Sequence, residues 1–306
     1  MQYEIYKLKF PYGVHIGAKA LENSEKTFCA DTLFSALAIE ALKNDQTVFD
    51  KLLDYVKTNK LVLSDGFPFV GDELFLPKPY LKIEGVNDGS SVVKKQYKKM
   101  KYVAMSKWKL YLSGKLNPLD EIELEKHIGS HSTKTHCAIR GLEETKPYRI
   151  GTYTFSEMAG VYIIYGYNDD TVKEFFYDLL EKLSFSGIGG KRSSGLGRFE
   201  IYPGKMPEEI LSAIDKDSSK YVSLSISLPG EDELESALKD SSYMLEKRSG
   251  FVDSKSYSDS FMRKKDLFMF VSGSVFSTKY CGDVYDVSSG GKHPVYKYGK
   301  PIFLGV

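Results

Sequence analysis

The sequence is short of the residues most often used for structural chemistry. Its three cysteines, Cys29, Cys137 and Cys281, are odd in number and far apart. They form no CxxC pair and no zinc-ligand set, which excludes a disulfide framework and points to a reducing, cytoplasmic setting. No apolar run reaches the roughly 18 residues of a membrane span, so no membrane partner is expected. The N-terminal stretch from Gln2 to Phe10 alternates in polarity and carries Glu4, which fits a strand rather than a signal peptide. No excess charge of one sign exists: 42 basic residues face 41 acidic ones. GxSxG, HExxH, DxDxDG and Walker A motifs are all missing, so no cofactor, no metal and no catalytic set is indicated. Tryptophan is nearly absent, with one residue against 22 Tyr and 18 Phe. That aromatic content fits either strand formation or a base-stacking surface.

The chain divides by composition. Residues 3–10 read as a strand, and Phe10 to Gly17 as a turn-rich loop. Asp31 is placed to cap a helix carrying Leu33, Phe34, Leu37 and Ala41 at helical spacing. Residues 82–147 read as a projecting, partly mobile insertion. Within 89–119 stand Lys94, Lys95, Lys98, Lys99, Lys101, Lys107, Lys109 and Lys115 with no acid, interleaved with Tyr97, Tyr102, Trp108 and Tyr111. Such a mixture suits either a solvated lysine-rich face or a single-strand RNA binder. Val161–Tyr167 predicts a strand, and Val172 through Leu183 a helix with one apolar stripe. Residues 203–220 read as a linker. Further strands are expected at 221–228, 244–251, 267–276, 282–287 and 294–304.

The order strand–helix–strand–strand–helix–strand in residues 1–202 predicts a ferredoxin-like (RRM-like) sheet. Residues 221–306 read as a shorter, degenerate relative of it. The class is α+β: two ferredoxin-like domains with a thumb-like insertion.

The most informative local feature is the loop from Ser186 to Arg198, with Gly187, Gly189, Gly190, Gly195 and Gly197 around Lys191, Arg192, Ser193 and Ser194. Glycines let the backbone approach a ligand, and the basic and hydroxyl residues suit phosphate oxygens. The loop follows a helix and precedes a strand, the reverse of a dinucleotide-binding turn. Its alternative reading is a tight structural turn. His15, His131 and His136 are the only acid–base candidates, and each is read more simply as a structural or surface residue.

Three stretches together resemble a known family: Phe10-Pro11-x-Gly13-Val14-His15-x-Gly17, Cys29 through Leu37, and the loop Gly187–Arg198 running into Phe199-Glu200. In order and spacing they are similar to the RAMP superfamily of CRISPR proteins. Within it they are similar to the fourth subunit of type III-A (Csm) effector complexes. Gly273 to Phe276 and the closing Gly299 to Phe303 extend the likeness into the C-terminal half. The resemblance implies two ferredoxin-like folds with a thumb. It implies binding of the 5′ handle of the CRISPR RNA (crRNA), with the large polymerase-like Csm subunit and the neighbouring backbone RAMP subunit as partners in antiviral defence. It implies no catalysis; the alternative is a metal-independent, RNA-processing endoribonuclease using His15 or His136. The RNA-binding candidates are His15, the loop residues Gly187, Gly189, Gly190, Lys191, Arg192, Ser193, Ser194, Gly195 and Arg198, and, between thumb and sheet, His136 and Arg140.

Overall fold

The computed structural model describes residues 1–18, 20–81, 91–138, 146–254 and 256–306, so Arg140 lies outside the described residues. The N-terminal half begins with β1 (Gln2–Lys9), the hairpin β2 (Ile16–Ala18) and β3 (Ala20–Glu25), and the helices α1 (Ala30–Asn44) and α2 (Gln46–Lys57). Short strands β4 (Leu61–Leu63), β5 (Phe67–Val70) and β6 (Glu73–Pro77) follow. Then come α3 (Ser91–Lys99), β7 (Tyr102–Ala104), α4 (Trp108–Leu112) and α5 (Pro118–Lys126). A long hairpin, β8 (Gly129–Ala138) and β9 (Lys146–Phe155), precedes β10 (Ala159–Tyr167), α6 (Asp170–Ser186) and β11 (Glu200–Gly204). The main sheet runs β11-β1-β10-β5-β6-β7 with every pairing antiparallel, and β4 pairs with β10 beyond the end of β5.

Strand β10 is buried along its whole length, because both faces of the sheet are covered. Val161, Ile163 and Tyr165 face the buried stripes of α1 (Leu33, Phe34, Leu37) and α6 (Phe176, Leu179, Leu180, Leu183). Tyr162 and Ile164 face the other way, into a core shared with the C-terminal half through Val222, Leu224, Val275 and Leu304. That half comprises α7 (Glu208–Asp215), β12 (Tyr221–Ser223), α8 (Leu234–Leu238), β13 (Leu245–Arg248), β14 (Leu267–Phe270), β15 (Val275–Phe276), β16 (Val284–Asp286), β17 (Tyr296–Tyr298) and β18 (Phe303–Gly305). Its largest sheet has the order β15-β12-β18.

The structure corrects several expectations. The stretch 203–220 is not a plain linker: α7 buries Ile210 and Ile214, four residues apart, in the shared core. The strand expected at 221–228 keeps its ladder only to Ser223. Beyond it, the chain divides its bonds: the Ile226 amide donates to Asp65 Oδ1 and the Ser225 hydroxyl to the Leu63 carbonyl in the other half, while Ser227 exchanges backbone bonds with Phe270 and the Leu228 amide donates to the Gly299 carbonyl. The segment read as projecting is partly woven into the sheet, since β7 pairs with β6 at its edge. Its aromatics are packing groups. Tyr111 is buried with Met100, Val103 and Leu116, with Tyr97 and Trp108 packed against them, and the Tyr102 hydroxyl lies 2.8 Å from Thr27 Oγ1. Two of its lysines find acids outside the lysine-rich stretch 89–119: Lys101 meets Glu25 at 2.9 Å and Lys107 meets Glu121 at 3.5 Å.

Asp31 is not the helix cap. The N-cap is Cys29, and the Ala30 amide donates to Asp65 Oδ1 at 2.8 Å. Asp31 turns inward, where Arg248 grips both of its oxygens at 2.9 and 2.7 Å and Lys297 Nζ sits 3.0 Å away. Burial pushes the Asp31 carboxyl up, but Arg248 and Lys297 outweigh it and hold it below its ordinary value.

Among the described residues, no cation forms an ion pair with Asp65. Burial pushes it up to about 6 against the amide bonds from Ile226 and Ala30, which favour its charged form. The folded state therefore binds this proton more tightly than the unfolded chain does. This contribution to stability falls as pH rises from about 4 to about 6, and the penalty is complete above that. Asp65→Asn keeps the acceptor for both amides without the charge. By urea unfolding it should be more stable than wild type at pH 8, by on the order of 2 kcal/mol. The gap should close towards pH 4. A destabilised Asn variant at pH 8 would contradict this reading.

Candidate nucleic-acid interface

The glycine-rich loop is built down onto the turn that follows β1. Helix α6 ends where the Gly187 amide donates to the Leu183 carbonyl. Ile188 is buried and anchors the loop, its amide donating to Gly197 O at 2.9 Å. The Gly197 amide donates to Gly13 O at 2.9 Å, and the Gly190 amide to His15 O at 2.8 Å. A Cβ at Gly190 would lie 2.7 Å from the His15 ring, and one at Gly197 would lie 2.1 Å from the Ile188 carbonyl oxygen. Between these fixed ends, Lys191 to Gly195 form a single exposed turn, Arg192–Ser194, tied by the Ser194 amide and hydroxyl to the Lys191 carbonyl.

Gly195 and Gly197 both have positive φ, 86° and 81°, but only Gly195 has open space where a Cβ would go. Gly195→Ala should cost about 1 kcal/mol, the left-handed penalty alone. Gly197→Ala adds a backbone collision and should cost more than about 2 kcal/mol while detaching the loop from Gly13. Equal unfolding midpoints for the two variants would contradict this picture of the loop.

His15, named from the sequence as an RNA-binding candidate, is not at the surface. Its side chain is buried beneath Gly189 and Gly190, and its Nδ1 lies 2.6 Å from the Gly151 carbonyl. A carbonyl only accepts, so Nδ1 carries the proton and the ring acts as a strut joining loop to hairpin. His136 lies on the outer part of β8, stacked on Tyr148 at 5.7 Å. Lys191 Nζ sits 5.1 Å from the centre of the same Tyr148 ring. His131 is on the opposite face of the hairpin, edge-on to Tyr153.

Period-two alternation along β8 brings in a residue that sequence reasoning missed. Lys134 and His136 share a face, and Lys134 points to the loop. Together with Tyr12, Thr154, Ser194 and Arg198 it lines an open cleft of about 530 Å³. No carboxylate among the described residues lines this cleft. Among the described residues, neither Lys134 nor Arg198 forms an ion pair. Arg192 points away from the cleft towards Asp253, 3.4 Å distant. Ser193 is exposed at the tip. The arrangement therefore offers cations, hydroxyls and backbone curvature to an extended polyanion.

His15 bonds a backbone carbonyl, and His131 and His136 contact tyrosine rings. Among the described residues, no three His, Cys, Asp or Glu side chains are grouped to hold a metal, and no helix is long and apolar enough to cross a membrane.

Comparison with known proteins gives the chain a family context. Residues 66–200 match the RAMP superfamily, and residues 216–306 match the CRISPR Csm4 C-terminal domain. The chain is 37% identical over 296 residues to the CRISPR system Cms protein Csm4 of Mycobacterium tuberculosis, covering 95% of this chain and 94% of the relative. It is 34% identical over 319 residues to the Csm4 protein of Streptococcus thermophilus, covering 99% of each. In fold it is similar to a chain of the Csm3-Csm4 subcomplex of the type III-A CRISPR-Cas interference complex, with a TM-score of 0.66 at 19% identity over 99% of both chains. It is also similar to a chain of the Csm1-Csm4 cassette in complex with AMPPNP, with a TM-score of 0.64 at 20% identity over 100% of this chain and 98% of the other.

Proposed function

Because the chain belongs to the Csm4 family of RAMP-superfamily CRISPR proteins, we propose that it is a non-catalytic, RNA-binding subunit of a type III-A CRISPR effector complex. Its glycine-rich loop and the adjoining cleft bind the 5′ handle of the crRNA. The observation that carries this reading is the cleft itself: Lys134, Arg198 and Ser194 converge there with no carboxylate lining it among the described residues. Lys191, Arg192 and Ser193 continue the same surface at the loop tip, and the loop glycines with His15 hold its shape.

Two further features of the reading have structural support. The order β11-β1-β10-β5, with α1 after β1 and α6 after β10, is the order expected of a ferredoxin-like split βαβ sheet. The three-stranded β15-β12-β18 sheet is then its degenerate C-terminal counterpart. Helices α3, α4 and α5, beyond the sheet edge, serve as the thumb that positions the guide. Solved assemblies of similar fold pair Csm4 with Csm1 or with Csm3. By analogy this chain docks the large polymerase-like subunit and the neighbouring backbone subunit, in the cytoplasm.

The rival reading is a metal-independent endoribonuclease using His15 or His136. Burial of the His15 side chain and its bond to a backbone carbonyl weigh against it. The test is to assemble the complex with and without this chain, and separately to incubate the pure chain with repeat RNA and a chelator. Loss of guide loading without the chain, and no cut by the chain alone, is the expected pair of results. A specific cut abolished by His15→Ala would overturn the non-catalytic assignment.

A further inference from the structure

A hairpin with exposed aromatic side chains lies next to the loop. Residues Gly250–Val252 pair with Met262–Lys264: the Val252 amide donates to Met262 O at 3.0 Å, the Lys264 amide to Gly250 O at 2.9 Å, and Phe251 stands opposite Arg263. This hairpin holds two aromatic side chains in solvent. Phe251 is 58% exposed and Phe261 is 92% exposed. Their rings meet edge to face, with centres 6.5 Å apart at 82°. The Arg263 guanidinium lies 5.9 Å from the centre of the Phe251 ring. The hairpin is tied to the glycine-rich loop, because Asp253 Oδ2 is 3.4 Å from Arg192.

We propose that Phe251, Phe261 and Arg263 form a stacking platform for unpaired bases of the same single-stranded RNA whose phosphates the loop holds. The inference rests on the RNA-binding reading of the loop and extends it to base contacts. Three observations favour RNA over a protein as the occupant. An edge-to-face pair leaves ring faces open, and a base needs an open face. A guanidinium beside the rings suits bases and phosphates together. The surface is also continuous with the cationic loop through Arg192. That exposed ion pair contributes little by itself, so a phosphate can compete with Asp253 for Arg192.

The test uses the full chain and the assembled complex, with a guide RNA carrying the repeat-derived 5′ segment as probe. Both phenylalanines are exposed, so Phe251→Ala with Phe261→Ala is expected to leave the unfolding midpoint unchanged. Guide affinity should fall about tenfold or more, the loss expected when stacking of a base is removed. The salt dependence of binding should stay the same, because no phosphate contact is removed. A scan of abasic positions in the guide should find one or two that cause the same loss in wild type and no further loss in the double variant. Failure of the loop reading shows separately, as an unchanged salt slope when the loop cations are removed. Unchanged guide affinity in the double phenylalanine variant would overturn the platform. So would a variant that binds guide normally but no longer assembles with the other subunits, which would make this surface a protein contact.

Discussion

Asp31→Ala is expected to destabilise the protein by about 3–5 kcal/mol, the cost of leaving buried charge without its partner. The variant strands Lys297, whose side chain is buried, and takes from the mostly buried Arg248 its inner carboxylate, leaving it the outer one of Glu246. Such a loss is a large share of the ~5–15 kcal/mol that holds a typical domain folded. The cost should be partly relieved in Asp31→Ala with Arg248→Met, because one cation deprived of its buried partner is then replaced by an apolar side chain of similar length. Urea unfolding of the two variants reads both effects. The pH dependence has a definite sign. The depressed Asp31 pKa contributes stability that is present above the ordinary carboxylate range and is lost as pH falls through the folded value. The acid limb of the wild-type stability curve should therefore flatten in the Ala variant. A loss below about 1 kcal/mol would mean that the three-residue cluster does not join α1 to β13 and β17 as described.

The second large effect is electrostatic and leaves the fold intact. Lys134, Lys191 and Arg198 lie on the surface around the loop, and replacing all three with Ala should change stability little. If each neutralises one phosphate, the slope of log affinity against log salt should fall by about 2, at ~0.7 per contact for a single strand. A fourfold rise in salt should then weaken wild-type guide binding about twentyfold more than it weakens the variant. Filter binding of a labelled guide across a salt series measures this directly. Parallel lines for wild type and variant would remove these side chains from the RNA path.

Some of this architecture is legible in the sequence because it is local. The apolar stripe of α6 and the alternation of β1 each depend on spacing within a few residues, and each is present. The glycine-rich loop is legible for the same reason, since its glycines and cations are contiguous. Contacts between distant residues are not. Asp31 satisfies the sequence rule for a helix cap, yet its partners Arg248 and Lys297 lie 217 and 266 positions away. His15 sits in a motif that suggests a cleft residue, but its carbonyl partner at Gly151 belongs to a hairpin whose docking no local pattern encodes. Tyr97, Tyr102, Trp108 and Tyr111 have the composition of a stacking surface, and only the tertiary fold reveals that they pack inward. Lys134 was the recoverable miss: the run Ser132-Thr133-Lys134-Thr135-His136 alternates, and pairing His136 with its neighbour two residues back would have found it.

The central claim is that the glycine-rich loop and its cleft hold the 5′ end of the guide RNA. The most direct measurement is photocrosslinking in the assembled complex, with a guide carrying a single 4-thiouridine moved along its length and the crosslinked peptides identified by mass spectrometry. The account predicts that probes in the repeat-derived 5′ segment crosslink to this chain within 187–198 and at the strand bearing Lys134, while probes near the 3′ end do not. Crosslinks from the 5′ segment that fall only on other subunits, or on this chain only at surfaces remote from the loop, would contradict it.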